Sequence, residues 1–458
     1  MSKQPFPFQK EGVKAIEAFG LRCLLADEMG LGKTPQALWT LKRNPKAFPA
    51  VVVCPASVKY NWAKESTDIL GIEPLILSGK KPPPRTTLKG EKLVVINFDI
   101  LKGWYPLLAD MRPQMLIIDE CQNIQNQTTI KSKFVTKLGR TCPYILALSG
   151  TPITNRPSDF YPTLHLVRPD IFPIWATYAH SYCGPTKGQW GWEFKGATNT
   201  DLLHNVVSEN LMIRRLKKDV LPELPKKMRQ VLPVEVPGFD EYYRAEDDFL
   251  KWLREKSVSR ARRAAKAEAA TKMAYLKGLA ARKKVPLIKE WIDEFLADSD
   301  EKLVVFACHT GMLNMLTKTY PTSSTRIDGS TPAPQRQLAV ERFQTDPTIR
   351  LFFGNIQAAG TGTTLTAAST TLFTELDFRP GLLLQAEDRT NRIGQKFPTR
   401  CIYMVARNTI EERIANMLQA KQNVLQAILN GETPAEEFNL ADMLFDSYGA
   451  SYVRKTAV

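Results

Sequence analysis

The sequence predicts an α/β protein made of two parallel-sheet lobes with helical insertions between them. Three observations carry that expectation. Short apolar runs alternate with helical segments through residues 1–155, and the same rhythm returns after residue 300. The runs are continuously apolar and do not alternate, as in strands covered by helices on both faces. The length, 458 residues, exceeds one ordinary core but suits two lobes with insertions.

Taken in order, the strand candidates of the first lobe are residues 21–26, 51–54, 93–96, 115–118 and 144–148. Those of the second are 303–306, 325–327, 351–353, 371–373 and 401–405. Residues 157–240 are aromatic and proline-rich, and 240–285 form a basic, alanine-rich helical stretch. Residues 251–284 carry 12 Lys/Arg against 2 Asp/Glu, a density that favours phosphate contact over a merely solvated face. The expected boundaries are 1–160 for lobe one, 161–285 for insertions and hinge, 286–430 for lobe two and 431–458 for a tail. The tail is expected to be a short helix and a frayed end. Trp190, Trp192 and Phe194 are expected to be core packing in preference to a base-stacking surface.

Composition narrows the function classes. Hydrophobic residues make up 43% and charged residues 24%, which excludes wholesale disorder. With 62 Lys+Arg against 47 Asp+Glu, the net charge of +15 suits a polyanionic partner. Seven scattered cysteines form no C-x-x-C pair, which argues for reduced thiols in a cytoplasmic setting and against a zinc ribbon. No apolar run reaches the roughly 18 residues of a membrane span, and the N-terminus lacks the apolar core of a signal peptide.

The strongest local signal is LLADEMGLGKT at 24–34, placed after a strand and before a helix as a phosphate-binding loop requires. The nucleotide-binding candidates are Asp27, Glu28, Met29, Gly30, Leu31, Gly32, Lys33 and Thr34. Gly30 and Gly32 let backbone amides approach phosphates. Lys33 supplies a point charge to the β/γ-phosphates and the Thr34 hydroxyl a Mg²⁺ ligand. In LIIDECQ at 116–122, an apolar strand ends in two carboxylates. Asp119 would hold Mg²⁺ and Glu120 would polarise the attacking water. In QAEDRTNRIGQ at 385–395, Arg389 and Arg392 stand three apart. On a helix they would share one face and reach a γ-phosphate from the other lobe. Gln9, in Pro7-Phe8-Gln9, is a candidate adenine reader because a side-chain amide both donates and accepts.

Together these blocks resemble the Swi/Snf-type ATP-dependent DNA translocases of helicase superfamily two. The resemblance runs from Gln9 to about residue 415 and includes VVVCPASVKYNW at 51–62, VINFDIL at 95–101, LSGTPI at 148–153, VVFACHT at 304–310, AAGTGTTLTAA at 358–368 and the distinctive RIGQ ending at 392–395. RPSDFY at 156–161, WGWEF at 190–194, LMIRRLKKDVLPELPKK at 211–227 and ELDFRPGLLLQAEDR at 375–389 are similar to the annealing-helicase branch. The resemblance implies two RecA-like lobes of the P-loop NTPase type, ATP and Mg²⁺ as cofactors, and tracking along double-stranded or forked DNA. By the same resemblance Ser57, Lys59, Asn61, Thr361 and Thr363 contact DNA, and Ser149, Thr151 and Gln122 couple the two sites. Two departures stand out: Gln122 and Asn391 replace histidines of the family pattern. The chain opens almost on the Gln9 motif, so a motor without appended modules is expected. An RNA helicase and a catalytically silent nucleic-acid scaffold are the competing readings.

Overall fold

The computed structural model describes residues 4–188, 191–236, 238, 240–257, 262–360 and 362–431. Thr361, Trp190 and the expected tail helix after 431 lie outside the described residues. The chain forms two compact units. The first runs to Leu224 and takes in residues from Lys421, and the second runs from Pro225 to Ala420. Residues 161–224 therefore group with the first sheet and 225–285 with the second.

The first unit holds strands β1 (Arg22–Leu25), β2 (Ala50–Cys54), β3 (Leu75–Ile76), β4 (Leu93–Asn97), β5 (Met115–Asp119) and β6 (Tyr144–Leu148). A separate antiparallel hairpin follows, β7 (Pro185–Gly188) and β8 (Gly191–Phe194), and then β9 (Met212–Ile213). The seven-stranded sheet has the order β3-β4-β2-β5-β6-β1-β9 and is parallel throughout. Its continuous apolar runs have a direct physical reason. Val51 and Val53 enter one core with Leu116, Ile118, Ile145 and Ala147. The alternate residues Val52 and Cys54 enter the opposite core with Met115, Ile117, Leu146 and Leu148. Both faces of the pleat are covered, so the strand interiors are apolar and Arg22, Asn97 and Asp119 stand only at strand ends.

The second unit holds β10 (Lys227–Val234), β11 (Lys302–Ala307), β12 (Ser324–Ile327), β13 (Leu351–Asn355), β14 (Ala368–Phe373) and β15 (Thr399–Ala406). They pair in parallel in the order β10-β15-β14-β11-β13-β12. Leu303, Val305 and Ala307 pack with Leu313, Leu316, Ile288 and Ile292 on one face. Stacked rings, Phe306 on Phe373 and Phe373 on Tyr403, fill the other.

Two expectations change here. The basic stretch divides between the helices Asp240–Ser257 and Arg262–Asp298, and part of its charge faces inward. Lys284 is fully buried and donates to Glu411 Oε2 at 2.7 Å, Thr374 O at 2.6 Å and Met404 O at 2.9 Å. Lys277 is also buried, over the Phe378 ring. The periodicity of buried Leu276, Leu279, Ala280 and Ile288 carries these lysines to the sheet side, where the carboxylate and carbonyls replace the water of Lys284. Second, Trp192 is not core: it is 53% exposed on the hairpin.

Candidate functional site

In the first unit, β1 delivers the chain to the loop 26–32 and the helix Lys33–Arg43 follows. Gly30 and Gly32 have φ of 85° and 72°, a left-handed conformation that a side chain disfavours. Lys33 Nζ donates to the carbonyls of Asp27 at 2.8 Å and Glu28 at 3.3 Å. Burial lowers the Lys33 pKa, against the raising influence of Glu120, Asp27 and Asp119. The loop lysine and the carboxylate pair ending β5 therefore act electrostatically on one another, as one catalytic cluster needs.

Asp119 ends β5 with one carboxylate oxygen accepting from the Trp62 indole at 2.8 Å. Burial and then the adjacent Glu120 push its pKa up to about 7, opposed by Trp62 and Lys33. Glu120 sits at φ 54°, ψ 57°, a left-handed backbone that costs a non-glycine residue about 1–3 kcal/mol. Its side chain is the end of a hydrogen-bond chain. Thr151 N donates to Ser149 Oγ at 3.0 Å, Ser149 Oγ to Gln122 Oε1 at 2.7 Å, and Gln122 Nε2 to Glu120 Oε2 at 2.8 Å. Gln122 thus joins the loop after β6 to the carboxylate, in the position where the family pattern has histidine.

The rest of the phosphate loop is held from outside. Asp27 is fully buried, and its carboxylate is taken by Arg215, through Nε at 2.9 Å and Nη2, and by Gln36 Nε2 at 3.0 Å. Asp27 therefore braces the loop. Glu28 Oε2 accepts the Lys217 amide at 2.7 Å. Met29 packs under Gly150, where a Cβ would approach Met29 N at 3.1 Å. Leu31 is buried beside Phe8. Gln9 is buried, accepting from Phe6 N at 3.0 Å and donating to Leu31 O at 3.1 Å. One amide hydrogen and one lone pair stay available by valence for an adenine edge. Thr34, half-buried, lies in the first turn of the helix.

Sequence reasoning missed Trp62, Gln36, Arg214 and Arg215. Arg214 donates to Ala26 O at 2.8 Å, Gly150 O at 3.3 Å and Asn430 Oδ1 at 2.6 Å, and its charge lowers the Lys33 pKa. The available signal was Asp27 itself, a carboxylate at the end of an apolar strand that requires a counter-charge. Only β9, paired with β1 some 190 residues later in sequence, brings that charge back.

In the second unit the helix Pro380–Glu387 stops before the arginines. This corrects the helical spacing argument: Arg389 and Arg392 stand on turns. Thr390 Oγ1 takes the Glu387 carbonyl at 3.0 Å, and Gln395 Nε2 holds Thr390 O at 3.0 Å and Ala368 O at 2.8 Å, so the chain turns. The two guanidinium groups still converge, each donating to Thr363 O at 3.3 Å. Asn391 is buried, bonded to Thr399 Oγ1 at 3.1 Å and Pro225 O at 3.2 Å. Glu387 is buried among Lys227, Arg229 and Tyr403. Burial alone would raise its pKa, but Lys227 and Arg229 hold it below the ordinary carboxylate range.

The expected DNA contacts divide. Ser57 is half-buried, and Asn61 is exposed with its amide on Glu65 at 3.1 Å. Lys59 does not present its charge to solvent: it is 8% exposed and donates to Leu77 O at 2.9 Å. Thr363 is likewise buried, its hydroxyl on Ala359 O at 2.6 Å. Hydrogen bonds to backbone carbonyls hold both side chains inward. Among the described residues no helix is long and apolar enough to cross a membrane, and no three His, Cys, Asp or Glu side chains group as a metal site.

Two helix-covered parallel sheets, a glycine-lysine loop after the first strand, an Asp-Glu strand end and a paired-arginine turn are the parts of a helicase-type P-loop core. The SNF2-related domain description fits residues 8–286 and the helicase conserved C-terminal domain fits 283–394. The chain belongs to the SNF2-related family. It is 35% identical, over 98% of its length, to a SWI/SNF-related matrix-associated actin-dependent regulator of chromatin subfamily A-like protein 1 homolog from Caenorhabditis elegans, covering 66% of that protein. It is 33% identical, over 93% of its length, to the DNA annealing helicase and endonuclease ZRANB3 of Mus musculus, covering 41% of it. The chain thus spans well under the full length of these relatives. The solved Sulfolobus solfataricus SWI2/SNF2 ATPase core in complex with dsDNA is 22% identical, with 94% of each chain covered and a TM-score of 0.45.

Proposed function

We propose that the chain is a DNA-dependent ATPase that translocates on double-stranded DNA and remodels DNA structures or protein–DNA complexes, with strand annealing as an associated activity. The observation that carries this reading is the hydrogen-bond chain from Ser149 through Gln122 to Glu120 at the strand end, in a chain of the SNF2-related family that also carries the Lys33 loop. The relatives named as DNA annealing helicases favour DNA over RNA as the track.

Mg²⁺ and ATP fit the donors present. Thr34 and Asp119 offer hard oxygen ligands, and the Trp62 indole holds the Asp119 carboxylate in place at 2.8 Å. The bound ion would supply charge neutralisation between phosphate oxygens. Lys33, released from its two carbonyls, would hold phosphate oxygens. Gln9 would read the adenine. Glu120, oriented by Gln122, would accept the proton of the attacking water. Arg389 and Arg392 are assigned to stabilising the transition-state charge, an effect worth roughly 10³–10⁵ in rate where such an arginine acts. Ser57 and Asn61 are retained as DNA contacts that position without reading sequence.

The deciding experiment is ATPase rate against duplex, forked and single-stranded DNA and RNA, followed by displacement of a triplex-forming strand. The expected result is stimulation by duplex or forked DNA together with triplex displacement. Stimulation by RNA alone, or no turnover under any condition, would refute the proposal.

A further inference from the structure

We propose that the β7–β8 hairpin is a single-stranded DNA site, in which unpaired bases stack on the Trp192 indole beside the Lys187 ammonium. The proposal rests on the reading of the chain as a DNA motor and adds a second nucleic-acid contact to it. The hairpin belongs to neither large sheet. A free two-stranded ribbon is marginal in water, yet this one is fixed at its base. Gly196 N donates to Cys183 O at 3.1 Å, Thr198 N to Tyr182 O at 3.1 Å, and Asn199 Nδ2 to Ser181 O at 2.8 Å. Gly184 and Gly196 approach so closely that a Cβ on Gly184 would lie 2.7 Å from Gly196 Cα.

From that base an aromatic series leads outward. Trp175 meets Phe194 edge-on at 6.2 Å, and His180 meets both Phe194 and Trp192 edge-on at 4.9 Å. The series starts in the core at Tyr178 and ends at Trp192, which is 53% exposed. His180 therefore steadies the indole while about half of it meets water. Lys187 is the direct cross-strand partner of Trp192, so both project from one face, and Lys187 is exposed. A fixed, exposed aromatic platform beside a cation is the chemistry of sequence-tolerant single-strand binding: base on ring, phosphate on ammonium. Duplex DNA, with its bases already stacked on one another, offers the indole nothing comparable. The net charge of +15 supplies the general attraction to a polyanion.

The test uses the full chain and a fluorescein-labelled oligothymidylate of about 20 nucleotides, long enough to span one aromatic groove. Trp192→Ala should weaken binding about tenfold, the scale of one lost base stack. The salt dependence should be unchanged, because the indole carries no charge. Trp192→Phe should keep most of the affinity. Lys187→Ala should weaken binding and flatten its salt dependence. Duplex affinity and duplex-stimulated ATPase of Trp192→Ala should stay within about twofold of the parent, which also reports an intact fold. Parental oligothymidylate binding by Trp192→Ala overturns the proposal, and so does an equal loss on duplex. Absence of DNA-stimulated turnover in the parent chain would instead strike the proposed function.

Discussion

Gln122 offers the sharpest test of how the nucleotide site is built. Its amide receives Ser149 Oγ at 2.7 Å and donates to Glu120 Oε2 at 2.8 Å, so it transmits the position of one loop to the carboxylate that would activate water. Ser149→Ala removes the neutral hydrogen bond to Gln122, worth about 0.5–1.5 kcal/mol, together with the acceptor of the Thr151 amide. If the orientation of Glu120 depends on that bond, turnover falls about 2–12-fold. Gln122→Ala removes a hydrogen bond to a charged group, about 1.5–3 kcal/mol, or about 10–150-fold. If Ser149 reaches Glu120 only through Gln122, the double variant should be no slower than Gln122→Ala alone. The assay is steady-state ATP hydrolysis at saturating duplex DNA for all four members of the cycle, with thermal unfolding as the control for stability. Multiplicative losses in the double variant would show two independent contributions and refute the relay.

Further expectations concern the same framework. Lys33→Ala and Glu120→Gln should each abolish DNA-stimulated hydrolysis while circular dichroism stays parental; near-normal turnover in either would remove the assigned role. Lys284→Ala leaves Glu411 buried without its cation, and should destabilise the chain by about 3–5 kcal/mol in chemical denaturation. Arg282→Glu, on the exposed side of the same helix, should instead weaken duplex binding and reduce the log–log salt slope by about 0.9 with stability unchanged. Glu387 gives a pH signature. Its pKa is held low in the folded chain, so its contribution is present above the ordinary carboxylate range and is lost as pH falls through the depressed value. Glu387→Gln should therefore lower stability at neutral pH and flatten the acid limb of a stability–pH profile; an unchanged acid limb would assign acid sensitivity elsewhere.

All ten strand candidates fall on strands of the two sheets; for the central strands this is because a strand buried on both faces is an apolar run visible without a partner, while the edge strand Ser324–Ile327 carries Arg326. The strands that escaped are the two-residue β3 and β9, the hairpin β7–β8 and the edge strand β10, whose signals are not local apolar runs. β9 has two residues and takes its meaning from pairing beside β1. β10 is a largely exposed edge strand whose mixed sequence, Lys227 to Val234, includes a proline and shows no buried apolar run. The charges behaved in the same way. The composition of 251–284 was legible as basic, but the turn of the helix places Lys277 and Lys284 inside. Lys59 and Thr363 read as surface donors until the fold supplied the carbonyls they bond.

The sequence alone determined the two sheets and the local chemistry of the phosphate loop and the Asp-Glu strand end, since strand burial and glycine-dependent loop geometry are dictated by residues close in the chain. Only the tertiary structure decided which charges stand in water and which neutralise one another. Arg215 reaching Asp27, Trp62 fixing Asp119, and Gln122 joining Ser149 to Glu120 are contacts between distant segments. No local periodicity encodes them, because the energy of a buried charge depends on whichever partner the fold brings within hydrogen-bond reach.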